Sequence, residues 1–209
     1  MPLPTPPPTE LYIAVLLPNP ISLLINYIPV SQTPLDTLRN LVNAVDINSI
    51  SLDDFMTWPH FILPDSPFRP YFDLLLQRGS LCAQYLEGLR LSTNFITVAH
   101  GITMLRSVFP TDPYACFAHG LFLTTTGNYT EFMAVNSMFW EMVQNFDTAT
   151  AVGELVMYHI SQLRVQGPPQ WQSAWRFVNN LGCIGRCSYE HCCRNCFFYW
   201  YARELCIFY

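Results

Sequence analysis

Six of the eight cysteines fall in the last 27 residues, at Cys183, Cys187, Cys192, Cys193, Cys196 and Cys206. A small secreted domain held by disulfides spreads its cysteines through the chain. Crowding at one end favours reduced thiols and a metal instead. Zinc takes four thiolate or imidazole ligands at about 2.0–2.3 Å, with short spacings inside each ligand pair. Cys193-x2-Cys196 has such a spacing, and Cys187 with His191 or Cys192 offers a second pair. Upstream, Cys116-x2-His119 is a further pair. The bland alternative is a set of buried thiols that pack as small hydrophobes.

The rest of the chain has ample material for a core. Hydrophobic residues make up 51% of the 209 and charged residues 12%, which argues against extensive disorder. The expected architecture is α+β: one mainly helical domain over residues 11–182 with several short strands. A proline-rich arm precedes it at 1–10, and the cysteine-rich segment 183–209, stabilised by zinc, packs on it. The net charge of −5 gives no support to general nucleic-acid binding. The apolar stretch from Leu11 to Val30 is broken by Pro18, Pro20 and Pro29, so no membrane span is expected there. The first ten residues lack the basic start of a secretory signal.

Short apolar runs at Leu11–Leu17, Ile21–Ile28, Phe95–Val98, Ile102–Phe109 and Leu121–Thr126 read as strands, with Gly101 as a turn. Leu35, Leu38, Leu41, Val42 and Val45 follow Thr33-Pro34 at helical spacing. The prolines between residues 57 and 70 mark a loop. Tyr71–Leu76 forms a short helix ended by Gly79, and Ser80 caps another that runs to about Leu91. A long helix after Thr130 carries Phe132, Val135, Phe139, Met142, Val143 and Phe146 on one face. A second, after Asp147 or Thr148, carries Val152, Leu155, Val156, His159, Ile160 and Leu163. Trp171, Trp175 and Val178 begin a third amphipathic stretch, and Ser188 caps a last helix.

Chemistry-bearing patterns are few. Carboxylates are scattered and no phosphate-binding glycine loop occurs, so catalysis has weak support. His159 on an apolar helix face reads as a satisfied core histidine. In the helix opened by Ser80, the residues Leu81, Tyr85 and Leu89 recur every four positions and present one narrow face. That geometry suits docking into a partner's groove, and equally an ordinary core helix.

All ten basic residues are arginine. If each basic site were lysine about half the time, such a run would arise roughly once in a thousand chains. A GC-rich genome explains it poorly, because Asn, Ile, Phe and Tyr are plentiful. Lysine amines accept ubiquitin and guanidinium groups do not. A protein working beside a ubiquitin ligase gains from having none.

In the order of these features the chain resembles the adenoviral early region 4 34-kDa protein family. The likeness runs from Ile21–Ile28 and Leu35–Val45 through Gly79-Ser80-Leu81, Gly88, Phe95, Val98 and Gly101. It continues at Trp140-Glu141-x-Val143, Val152–Leu163, Ser173-Ala174 and Asn179-Asn180, and ends at Cys187-Ser188-Tyr189 with Cys192, Cys193 and Arg194. The resemblance implies a non-catalytic adaptor of the host nucleus and cytoplasm. It would recruit elongin B and elongin C, and through them a host cullin-RING ubiquitin ligase. With the viral large early region 1B protein it would destroy host defence proteins. Ser80, Leu81, Tyr85 and Leu89 would form one elongin box, and Thr37, Leu38 and Val42 a second. Both boxes lack the usual cysteine, and the family's basic C-terminal helix is reduced to Arg194 and Arg203. Two other readings compete. The stretches Gln144–Ile160 and Gln170–Trp175 resemble the groove helices of viral Bcl-2-like inhibitors of apoptosis, and a zinc-stabilised structural or interaction protein is the third.

Overall fold

The computed structural model describes residues 52–94, 96–163, 187 and 193–208. Contacts divide the chain into two compact units, Met1–Ser49 and Ile50–Tyr209, and every described residue belongs to the second. The helices expected over Leu35–Val45 and from Trp171, the strands at Leu11–Leu17 and Ile21–Ile28, and the Ser188 cap lie outside the described residues.

Every regular element among the described residues is helical. They are α1 (Asp53–Thr57), a 3-10 turn (Pro59–Ile62), α2 (Arg69–Gln77), α3 (Leu81–Ser92), α4 (Val98–Val108), α5 (Pro113–Thr126), α6 (Tyr129–Val143), α7 (Phe146–Gln162) and α8 (Arg194–Phe208). None is long and apolar enough to cross a membrane. Local chemistry sets most of their ends. Gly79 stops the chain beyond α2 with φ +77°, and the Ser80 hydroxyl then accepts from the Ala83 amide at 3.3 Å to start α3. Asp112 accepts from the amides of Tyr114 and Ala115, with Pro113 in the first turn of α5. Asn128 caps α6 and Asn145 caps α7, two or three residues before the expected caps.

The mainly helical part of the expectation holds, while no strand is found among the described residues. Ile102–Phe109 lies almost wholly in α4 and Leu121–Thr126 in α5. A short apolar run is as compatible with a buried helix as with a buried strand. In α5 every residue from Ala115 to Thr125 is buried, so the apolar run covers all faces of a helix enclosed by α3, α4, α6, α7 and α8. Its β-branched threonines turn their hydroxyls back on the helix: Thr124 donates to the Gly120 carbonyl and Thr125 to the Phe122 carbonyl, both at 2.8 Å.

Gly101 is a packing residue rather than a turn. A Cβ there would stand 2.7 Å from the Gly88 carbonyl oxygen and against the backbone of Ser92, so α3 and α4 cross at backbone distance. The same device seats α8. Phe198 lies over Gly120 of α5 and Tyr201 over Gly153 of α7. Around that seat Phe117, Phe139, Phe197 and Phe198 pack with centroids 4.9–6.1 Å apart, some stacked and some edge to face. The C-terminal helix is therefore part of the core of this unit.

Two polar groups are built into the interior. Glu87 accepts from Arg69 at 2.9 and 3.1 Å and from Arg90 at 2.9 and 2.6 Å. Burial raises the Glu87 carboxyl, but hydrogen bonds and charge from Arg90 and Arg69 outweigh it and hold the carboxyl below its ordinary value. Arg69 also donates to the Ile62 carbonyl and pairs with Asp73, tying the 3-10 turn to α2 and α3. On the other side of α3, the Tyr85 hydroxyl meets Nδ1 of His159 at 2.9 Å, joining α3 to α7.

Candidate metal centre

Helix α8 begins immediately after Cys193. The Cys193 carbonyl accepts from the amides of Cys196 at 2.9 Å and Phe197 at 3.1 Å, which makes Cys193 the residue that opens the helix. A two-residue spacing across a first helical turn places both side chains at the helix N-terminus. Cys187 approaches them, and the three sulfurs all lie within 4.8 Å of one another. Tetrahedral zinc with thiolate bonds near 2.3 Å separates its sulfurs by about 3.8 Å, so a small contraction would close this trio on a metal ion. Cys196 is buried while Cys187 and Cys193 are half-buried. The three cysteines thus form a group that can hold a metal ion.

The remaining expected ligands divide into two sets. His191 and Cys192 lie outside the described residues. Cys116 and His119 sit in the first half of α5 and do not join the trio. The Cys116 thiol points to the Val135 carbonyl at 3.8 Å, and burial, with a smaller effect from Asp112, pushes it up to about 12. His119 is fully buried beside the Phe109 ring, with Nε2 3.6 Å from a Glu131 carboxylate oxygen, and burial lowers it from the ordinary histidine value. A two-residue spacing marks neighbours on a helix, whereas only the tertiary fold decides whether that face meets another ligand.

The first elongin box also looks different in three dimensions. Ser80 spends its hydroxyl on the cap of α3. Leu81 is 51% exposed, but Tyr85 is 1% and Leu89 0% exposed. The face expected to enter a partner's groove is turned into the core, because α3 packs against α4, α5 and α7 at once. The core-helix alternative describes this segment. Thr37, Leu38 and Val42 of the second box lie outside the described residues.

Sequence reasoning missed the Arg69–Glu87–Arg90 group and the partner of His159. Glu87 and Arg90 at i, i+3 were the available signal for the first. Nothing local joins Tyr85 to a histidine 74 positions away. Comparison with protein-family models, curated proteins and solved structures finds no match to this chain.

Proposed function

We propose that this protein is a non-catalytic adaptor that works beside a host cullin-RING ubiquitin ligase, recruited through elongins B and C, to degrade host defence proteins. The observation that carries the reading is the complete replacement of lysine by arginine. Packing does not demand it everywhere. Arg69 and Arg90 need a guanidinium fork to hold Glu87. Arg78 and Arg106 are exposed, and lysine would solvate equally well at either. An adaptor held near a charged ubiquitin-conjugating enzyme meets it at high effective concentration, so an exposed amine would be modified along with the target. The trio of cysteines holds a structural zinc, with His191 or Cys192 as fourth ligand, and so ties Cys187 to the start of α8.

With Tyr85 and Leu89 inside, elongin contact falls to the exposed Leu81 and to the box at Thr37, Leu38 and Val42. Affinity purification from transfected cells, read for elongins and a cullin, tests the reading, and the absence of both ends it. Arg78→Lys with Arg106→Lys should leave folding unchanged and shorten cellular half-life, with recovery under a proteasome inhibitor. Unchanged turnover would return the missing lysines to compositional chance.

One observation favours a second reading, a Bcl-2-like inhibitor of apoptosis: α5 is buried on all faces inside a helical shell. Binding of a fluorescent pro-apoptotic helix peptide, without elongin capture, would select it.

A further inference from the structure

The first turn of α8 carries a dithiol. Cys193 opens the helix, and its carbonyl accepts from the Cys196 amide at 2.9 Å, so a backbone hydrogen bond closes the turn between the two cysteines. Cα atoms three residues apart in such a turn stand about 5 Å from each other, inside the span of about 4.4–6.8 Å that a disulfide bridges. The sulfurs of Cys193 and Cys196 lie within 4.8 Å of each other, and the Cys187 sulfur lies within that distance of both. Cys196 is 0% exposed, Cys193 is half-buried, and Arg194 next to Cys193 is exposed. The turn therefore shows one sulfur to solvent and keeps the other sheltered against the core.

The other described cysteines are placed differently. Burial, with the charges of Asp112 and Asp53, pushes the Cys82 thiol up to about 11. Cys116 is fully buried and Cys206 is buried in α8. The thiolate, not the thiol, is the nucleophile, so these cysteines are poor targets for an oxidant in neutral solution. A bound metal keeps its cysteine ligands deprotonated, which concentrates reactive sulfur at the trio.

We propose that Cys193 and Cys196 form a reversible dithiol–disulfide switch, driven by hydrogen peroxide, that dismantles the metal centre and releases Cys187 from the start of α8. The Cys193 thiolate attacks one peroxide oxygen, the O–O bond breaks, and a sulfenic acid and a hydroxide result. The Cys196 thiolate then attacks the Cys193 sulfur, forms the S–S bond and expels a second hydroxide. Two protons from solvent turn the two hydroxides into water. The two sulfurs together lose two electrons, and the peroxide gains them. With both sulfurs tied up, Cys187 and one further ligand remain, too few for a tetrahedral zinc. Exchange with a dithiol reductant restores the starting state. Loss of the metal rests on the zinc site proposed above, whereas formation of the disulfide does not.

The test treats the reduced, zinc-loaded full chain with hydrogen peroxide and then alkylates the remaining thiols. Mass spectrometry reads the linkage while a metallochromic dye follows zinc. Trypsin cleaves after Arg194 and so puts Cys193 and Cys196 on separate peptides, joined only by the disulfide; fragmentation then identifies the linked sulfurs. The expected result is a Cys193–Cys196 link, release of the bound zinc in step with it, and recovery of both on adding dithiothreitol and zinc. Cys193→Ser, at the half-buried position, should keep the helical circular dichroism and leave Cys196 reduced at the same peroxide dose. Cys82→Ser should form the link as wild type does. No link, a link from Cys196 to Cys187, Cys192 or Cys183 instead, zinc retained after linkage, or a link that dithiothreitol leaves intact would each overturn the switch. A protein that links reversibly yet never takes up zinc would uphold the disulfide and remove the metal centre. A zinc-bound protein that peroxide leaves unlinked would do the reverse.

Discussion

Leu89→Ala separates a core helix from a docking helix. Leu89 is fully buried in α3, and truncating a buried leucine costs about 2–5 kcal/mol, the spread depending on how far the site collapses. Its neighbours argue for the upper half of that range. Leu86 and Tyr85 are as deeply buried, and Gly88 is already pinned, because a Cβ there would stand 2.9 Å from Leu105. A helix held at backbone distance from its partner has little freedom to close a cavity. For a unit of this size each kcal/mol lowers Tm by about 2–4 °C, so Leu89→Ala should melt on the order of 10 °C below wild type. Leu81→Ala, at a half-exposed site on the same helix, should stay within about 0.5 kcal/mol of wild type. Thermal and urea unfolding followed by circular dichroism measures both. A Leu89→Ala protein with wild-type Tm that has lost elongin capture would refute the core assignment and restore the outward-facing box.

Three further outcomes follow from the interior. Burial lowers the His159 pKa to about 4 from an ordinary value of 6.5, opposed in part by the Met56 backbone acting as acceptor to the ring. The unfolded chain therefore binds a proton that the folded chain refuses, so its contribution is complete above pH 6.5 and is lost as pH falls toward 4. The loss amounts to about 3 kcal/mol, and urea unfolding across that window should show it, with a flatter profile in His159→Asn. A chelator strong enough to strip zinc should lower Tm sharply, because a structural metal contributes folding free energy directly, and metal analysis should give one equivalent in wild type and little in Cys196→Ser. Gly101→Ala should destabilise by about 1–3 kcal/mol in the same unfolding assay, since the new Cβ meets backbone that no rotamer change can move.

Local sequence by itself determined the helix ends and the crowding of cysteines in the tail. Gly79-Ser80, Asp112-Pro113 and the cysteine spacing act within a few residues, where capping geometry and ligand spacing are settled by covalent connectivity. The long helices after Asn128 and Asn145 were legible from 3.6-residue periodicity, although Gln144 divides them one turn before the apolar pattern ends. Tertiary structure alone decided the rest. An apolar run such as Leu121–Thr126 has no periodicity to distinguish strand from helix when every face is buried, and that burial is a property of five surrounding helices. Leu81, Tyr85 and Leu89 share one stripe at any register. Whether the stripe meets a partner or the core depends on α4, α5 and α7 closing over it, and Gly101 permits the closest of those approaches. α8 takes its place in the core because Phe198 seats on Gly120 and Tyr201 on Gly153. Those contacts link residues about 50 to 80 positions apart, and no local pattern in the chain encodes them.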